Sequence, residues 1–269
     1  MPCRFHIAVV VLVAVFAAAP AAATGDGGPT REMVAGGRTT DVAARDGCRA
    51  RPATEATVGW PSARAAWRAQ PLAAVRPRSR PGAPPRHAVR RLGPATAPWL
   101  LVLRAARDRR GRCWVLLRLP HRPNDADGWV RRRAVALEPT PFRIVVSRRR
   151  RTVTVYRARR VAVRARVVVG KPSTPTPGGL FGVVGAWPNP ARDFSGTWIL
   201  GLTAHSRALR RFDGGNGQVA IHGRGGASLA DPLGSARSHG CVRVANRDLD
   251  RIVRTIGRGR LPGTPVRIR

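Results

Sequence analysis

The sequence predicts a mainly β fold with one helix, and three observations carry that prediction. From Trp99 onward the chain alternates short apolar or β-branched runs with clusters of Gly, Pro, Asn, Asp and Arg, the pattern of strands punctuated by turns. Only one stretch, near the C-terminus, keeps a helical period: Leu249, Ile252, Val253 and Ile256 fall at i, i+3, i+4 and i+7, one face of a helix. No repeat of solenoid length is visible.

The first element is an N-terminal export signal over residues 1–23. Arg4 supplies a positive start, Ile7 to Ala19 is an uncharged apolar run, and Ala21-Ala22-Ala23 offers small residues for cleavage, the layout of a secretory signal. An uncleaved anchor is the alternative reading, although the run is short for a spanning helix. Cys3 precedes the apolar run, which argues against a lipid-modified cysteine at the cleavage point. No second long apolar segment follows, so a secreted, extracytoplasmic location is expected, with no spanning segment once the signal is removed. Residues 24–97 are rich in Ala, Arg, Pro and Gly and read as a largely disordered linker, most clearly from Arg76 to Pro94, where proline removes donors and fixes φ. Trp60 and Trp67 leave room for some local packing.

Strand-like runs begin at Trp99–Leu103 and Cys113–Leu119, with Asp108 to Arg112 as the turn between them. After Pro123-Asn124-Asp125 come Gly128–Val130 and Ala134–Leu137. Short strands, a Pro-Asn turn and a Gly-Trp-Val strand over residues 98–140 resemble a bacterial SH3-like module. Residues 141–269 then hold the longer strands. Phe142–Val146 and Thr152–Tyr156 flank a basic hairpin tip at Ser147 to Arg151, and Val161–Val169 alternates apolar and arginine positions. Pro172 to Gly179 is a turn-rich loop, followed by strands at Leu180–Trp187, Val219–His222 and Val242–Val244. Asn246 is placed to cap the helix, with Asp248 and Asp250 in a first turn where the helix dipole favours acids. Gly257 is a stop signal, and Thr264–Ile268 closes with a strand.

The formal charge is +35, from 49 basic and 14 acidic residues, and Lys171 is the only lysine. Such a charge favours anionic partners in general: nucleic acid, acidic lipid or an acidic cell-wall polymer. The excess of Arg, Ala, Gly and Pro also fits a coding bias, which needs no polyanion site. Export would separate the chain from nucleic acid and place Cys48, Cys113 and Cys241 in an oxidising compartment. Two readings stand for these cysteines. Cys48 pairs with Cys113 and leaves Cys241 free, or Cys113, beside Trp114, is a buried thiol.

The chemistry concentrates at Ser238-His239-Gly240-Cys241-Val242-Arg243, with Ile221-His222-Gly223 upstream. A thiol at neutral pH is only a few per cent thiolate, so a nucleophilic cysteine needs a base or a local positive potential. Gly240 admits close approach to the main chain, where N–H groups can hold an oxyanion. Three arrangements compete: a Cys241 nucleophile with His222 as base, a zinc site from His205, His222, His239 and Cys241, or core histidines with an inert thiol. A structural zinc site would want closely paired ligands such as C-x-x-C at both ends, and none occurs.

The stretch from His222 to Asp248 resembles the L,D-transpeptidase catalytic domain, whose signature is a His-Gly pair followed by a Ser/Thr-His-Gly-Cys block. Three further anchors agree: Pro175-Thr176-Pro177-Gly178, Leu233-Gly234 and Gly263-Thr264-Pro265-Val266. The resemblance spans about Pro141 to Arg269. It implies a β-sandwich with one helix after the cysteine. It further implies that Cys241 is the nucleophile and that His222 is the base, oriented by the Gly223 carbonyl. Main-chain N–H groups of His239, Gly240 and Cys241 would form the oxyanion hole, with His239, Gly240 and Gly223 shaping the site. Ser238 and Arg243 would bind substrate, Arg243 through a carboxylate, with a hydrogen bond inside its own loop or a purely structural role as the alternatives for Ser238. No metal and no cofactor are implied, and the expected partners are peptidoglycan stem peptides, with anionic wall polymers as a further partner. A non-catalytic wall-binding protein and an L,D-carboxypeptidase are the competing functions.

Overall fold

The computed structural model describes residues 66–85, 91–93 and 99–269. The export signal, Cys48 and Trp60 lie outside the described residues. Among those described, the chain forms two sheets and one α-helix.

The first sheet is antiparallel and has five strands: β1 (Ala66–Pro71), β2 (Leu100–Arg107), β3 (Cys113–Arg118), β4 (Asp127–Arg131) and β5 (Val135–Thr140), in the order β4-β3-β2-β1-β5. Strand β1 corrects the linker expected over residues 24–97. Ala66–Pro71 has no β-branched residue, yet it sits between β2 and β5, pairing with β5 along its whole length and with β2 from Trp67 to Ala69. Cross-strand pairing and burial, not intrinsic propensity, make it a strand. The proline-rich stretch after it is also held. Arg78 exchanges main-chain hydrogen bonds with Trp129 at 2.9 and 2.8 Å, and its guanidinium lies 5.2 Å from the Trp114 ring centre. The Asp108 turn forms as expected: its carboxylate accepts from the N–H groups of Arg110 and Arg112 and from the Trp114 indole. Cys113 is disulfide-bonded, and its partner lies outside the described residues.

The second sheet contains β6 (Phe142–Ser147), β7 (Thr152–Arg157), β8 (Arg160–Gly170), β9 (Gly179–Pro188), β10 (Trp198–His205), β11 (Gln218–His222), β12 (Ala236–Ser238), β13 (Val242–Val244) and β14 (Pro265–Ile268). Its order is β12-β8-β13-β11-β10-β9-β14-β6-β7, and β7 also pairs with β8. The sheet therefore curls back on itself around one core, with β12 as a short spur. Ile144, Val155, Phe181, Leu202, Ile221 and Val242 fill that core. The arginine run 148–151 is the tip of the β6–β7 hairpin. Strand β10 was not read from the sequence.

Helix α1 (Asn246–Ile256) follows β13 and packs on β8 and β10. Its four periodic residues are all buried, so the 3.6-residue spacing was a packing face. Gly257 ends it at φ 87°, a left-handed conformation that suits glycine. The cap differs from expectation: Ala245 is the N-cap and Asn246 is the first helical residue. The Asn246 amide is used elsewhere, as described below.

The loop between β3 and β4 reaches the second sheet. Arg122 donates to the carbonyls of Ser206, Leu209 and Asn216 at 2.7, 3.1 and 3.2 Å. Asn124 exchanges two hydrogen bonds with the main chain of His205 at 2.8 and 2.7 Å. These contacts hold both ends of the loop joining β10 to β11. Removing the charge-assisted donors by Arg122→Ala is expected to lower the opening free energy of residues 206–217 by about 1–3 kcal/mol. Amide hydrogen exchange should show this loop exchanging about ten- to a hundredfold faster, with the α1 amides unchanged.

Candidate active site

His222 is the last residue of β11, and Cys241 immediately precedes β13. These strands pair in parallel, with Ile221 opposite Val242 and His222 opposite Arg243. Side chains alternate across a strand. Ile221, Val242 and Val244 point into the core, which turns His222, Cys241 and Arg243 to the other face. The same register sets Ala220 beside Cys241, and the Ala220 N–H donates to Cys241 Sγ at 3.5 Å. His222, His239, Cys241 and Arg243 all line one pocket of about 160 Å³. Its apolar wall comes from Phe194, Ile199, Leu209 and Phe212.

The loop before Cys241 is fixed by Ser238. Its hydroxyl donates to the Cys241 carbonyl at 2.6 Å and accepts from the Gly240 N–H at 3.2 Å. Ser238 is fully buried, so it shapes the loop from beneath and is not placed to bind substrate as expected. Gly240 has φ 120°, which an L side chain adopts only with strain. Of the three N–H groups expected to hold an oxyanion, that of Gly240 is occupied by Ser238. Those of His239 and Cys241 donate to no acceptor among the described residues. His239 itself is exposed and stacks on Phe212, with ring centres 5.2 Å apart.

His222 is buried, and its Nδ1 lies 2.8 Å from the Gly223 carbonyl. A carbonyl only accepts, so Nδ1 carries the proton. Burial pulls the His222 pKa down to about 4; the main-chain carbonyls of Gly223 and Ser195 partly offset this, while the Arg243 charge adds to it. Burial pushes the Cys241 thiol up, against the opposing pull of the Ala220 N–H and Arg243. The resting pair is therefore neutral thiol and neutral imidazole. Gly223 cannot carry a side chain here: a Cβ would stand 2.2 Å from Asn246 Oδ1.

Three contributors escaped sequence reading. Asn246 accepts from the N–H of Arg224 at 2.8 Å and of Thr197 at 3.3 Å, and donates to the Arg224 carbonyl at 2.9 Å. Its amide thus ties Arg224, just after the His222-Gly223 turn, to Thr197 at the entry to β10, which explains its absence from the cap. Asp231 forms an ion pair with Arg243. Phe194 lies under the same guanidinium at 4.7 Å from its ring centre. Arg243, expected to be free for a substrate carboxylate, is therefore already engaged in the pocket wall, with its Nε buried and unpartnered. No motif marked these partners in advance.

The residues of the zinc reading are not gathered as ligands. His205 is buried at the end of β10, with Nε2 3.4 Å from the Asn216 amide. No group of three or more His, Cys, Asp or Glu among the described residues has metal-holding geometry.

Between pH 4 and the ordinary histidine value of 6.5 the unfolded chain binds a proton at residue 222 that the folded chain does not. Folding should therefore weaken as pH falls through that window, by up to about 3 kcal/mol from this group. His222→Gln should remove that share of the pH dependence in urea unfolding measured at both ends of the window. An unchanged dependence in the variant would contradict the buried neutral ring.

Residues 141–268 match the sequence profile of the L,D-transpeptidase catalytic domain named YkuD. A curated Bacillus licheniformis protein, the L,D-transpeptidase candidate YkuD, is 34% identical over 109 residues, which is 40% of this chain and 56% of that protein. The chain thus spans just over half the length of this curated relative. An L,D-transpeptidase from Mycobacterium tuberculosis is 19% identical, covering 78% of this chain and 95% of that one at a TM-score of 0.40. L,D-transpeptidase 3 from the same organism is 17% identical, covering 78% and 96% at a TM-score of 0.40. Likeness of that size assigns no residue role, whereas the profile match covers both halves of the pocket described above. Over residues 141–268 the chain is similar to the YkuD L,D-transpeptidase catalytic domain.

Proposed function

We propose that the chain is an exported cysteine L,D-transpeptidase that cross-links peptidoglycan stem peptides through a thioester. One observation carries the reading: the His222 Nδ1 contact to the Gly223 carbonyl at 2.8 Å, with Cys241 just before the adjoining strand in the same pocket. That contact orients a base without an acidic third residue.

The first half-reaction is acyl transfer to sulfur. Cys241 Sγ attacks the carbonyl of the third stem residue as its proton passes to His222 Nε2. The imidazolium that forms keeps its Nδ1–H on the Gly223 carbonyl, whose dipole stabilises the new charge. The N–H groups of Cys241 and His239 hold the oxyanion. Collapse breaks the bond to the terminal D-alanine, and His222 returns the proton to the departing amine. In the second half a side-chain amine of another stem attacks the thioester, gives a proton to His222, and restores the thiol. Water in place of that amine would make the site a carboxypeptidase. The aromatic rim formed by Phe194, Phe212 and His239 supports stem-peptide docking. Arg243, held by Asp231, supplies positive potential beside the reacting sulfur. The secreted location rests on Arg4 and the Ile7–Ala19 run. Among the described residues no helix is long and apolar enough to cross a membrane.

Incubation of the purified chain with a tetrapeptide-stem muropeptide should release D-alanine and yield a dimer joined between third residues, read by mass spectrometry. Cys241→Ala should lower both products by about 10³-fold or more. Undiminished products in that variant would end the reading. Release without dimer would convert it to a carboxypeptidase.

A further inference from the structure

A second concavity, of about 530 Å³, lies on the outward face of β6, β7 and β8 and beside the end of β14. It is half-way round the curled sheet from β11. Its floor consists of Val145 and Ser147 on β6 with Thr152, Thr154 and Tyr156 on β7. The strand register explains that grouping: Val145 faces Thr154, and Ser147 faces Thr152. Arginines surround the floor. Arg164 stands on β8 opposite Thr154, Arg269 follows β14, and Arg149 and Arg150 close the hairpin end. All four are exposed. Among the described residues none of them enters an ion pair, and no acidic residue lines the groove.

The geometry points to a binding groove for a linear phosphodiester-linked polyol. Guanidinium forks match phosphate oxygens bidentately, while the four hydroxyls of the floor are donors and acceptors suited to a hydroxylated backbone. Arg164 and Arg269 are separated by the breadth of four strands, about 14 Å at the usual strand spacing. Successive phosphates of a polymer match a backbone span of that size. Stacking of nucleic-acid bases has no platform here, because the one aromatic ring, Tyr156, is covered by the Arg143 guanidinium at 4.5 Å. A lipid surface is disfavoured by chemistry: of the large apolar side chains exposed among the described residues, only Val161 lies on these strands. The inference does not depend on the transpeptidase reading, since no residue of the groove belongs to the Cys241 pocket.

The test uses the full chain and poly(glycerol phosphate) at about 0.15 M salt, where surface attraction at long range is screened. Binding is measured by titration calorimetry. Arg164→Ala with Arg269→Ala should weaken binding tenfold or more. Arg251→Ala with Arg254→Ala removes the same charge from the exposed face of α1 and should change it less than twofold. Equal losses in the two double variants would show attraction to net charge alone and overturn the groove. So would wild-type protein that binds phosphatidylglycerol vesicles, or single-stranded DNA, while ignoring the polymer. Thermal unfolding of both variants should match wild type, because all four side chains are exposed.

Discussion

The parallel pairing of β11 with β13 is the constraint on which the candidate site depends. Two register pairs, Ile221 with Val242 and His222 with Arg243, determine which side chains meet. Residues distant in sequence come together because their apolar neighbours must be buried. Ile221 and Val242 are each within 1% of full burial, and a shift of one residue would send them outward and the histidine into the core. The hydrophobic alternation that stabilises the sheet thus also aligns thiol and imidazole. The rest of the second sheet, and α1 behind it, keeps this pair from slipping.

Polar contacts around the pair refine what packing begins. Gly223 supplies the carbonyl that selects the histidine tautomer, and Asn246 holds the main chain of the next residue, Arg224, from the first turn of α1. Ser238 shapes the approach to Cys241 from below. Electrostatics then set a neutral resting pair. Burial disfavours both the imidazolium and the thiolate, and Arg243 further disfavours the imidazolium while easing the thiolate. Asp231 tempers that arginine and keeps its guanidinium over Phe194. On the proposed reading, proton transfer accompanies attack, and the positive charge appears only when the oxyanion does.

Much of this was legible in the sequence wherever a local rule coincided with the tertiary outcome. The periodic face of α1, the hairpin around the arginine run, and the His222–Gly223 and Ser238–Cys241 pairs follow from spacing or motif. The misses have a common cause in long-range partners. Ala66–Pro71 becomes a strand only because β2 and β5 flank it. Asn246 looked like a cap by its position, but it serves two loops that come near only after folding. Ser238 and Arg243 have side chains suited to substrate, yet the cysteine loop and Asp231 already engage them. In each case residue chemistry was read correctly and the competing partner was not visible.

The central claim is that Cys241 and His222 act as one unit across two paired strands. Its most direct measurement is the rate of carbapenem acylation, followed as intact-protein mass with peptide mapping of the adduct. The account predicts an adduct on Cys241 in the wild-type chain and acylation about a hundredfold slower or worse in His222→Ala. Acylation of His222→Ala at the wild-type rate, or an adduct on any residue other than Cys241, would contradict it.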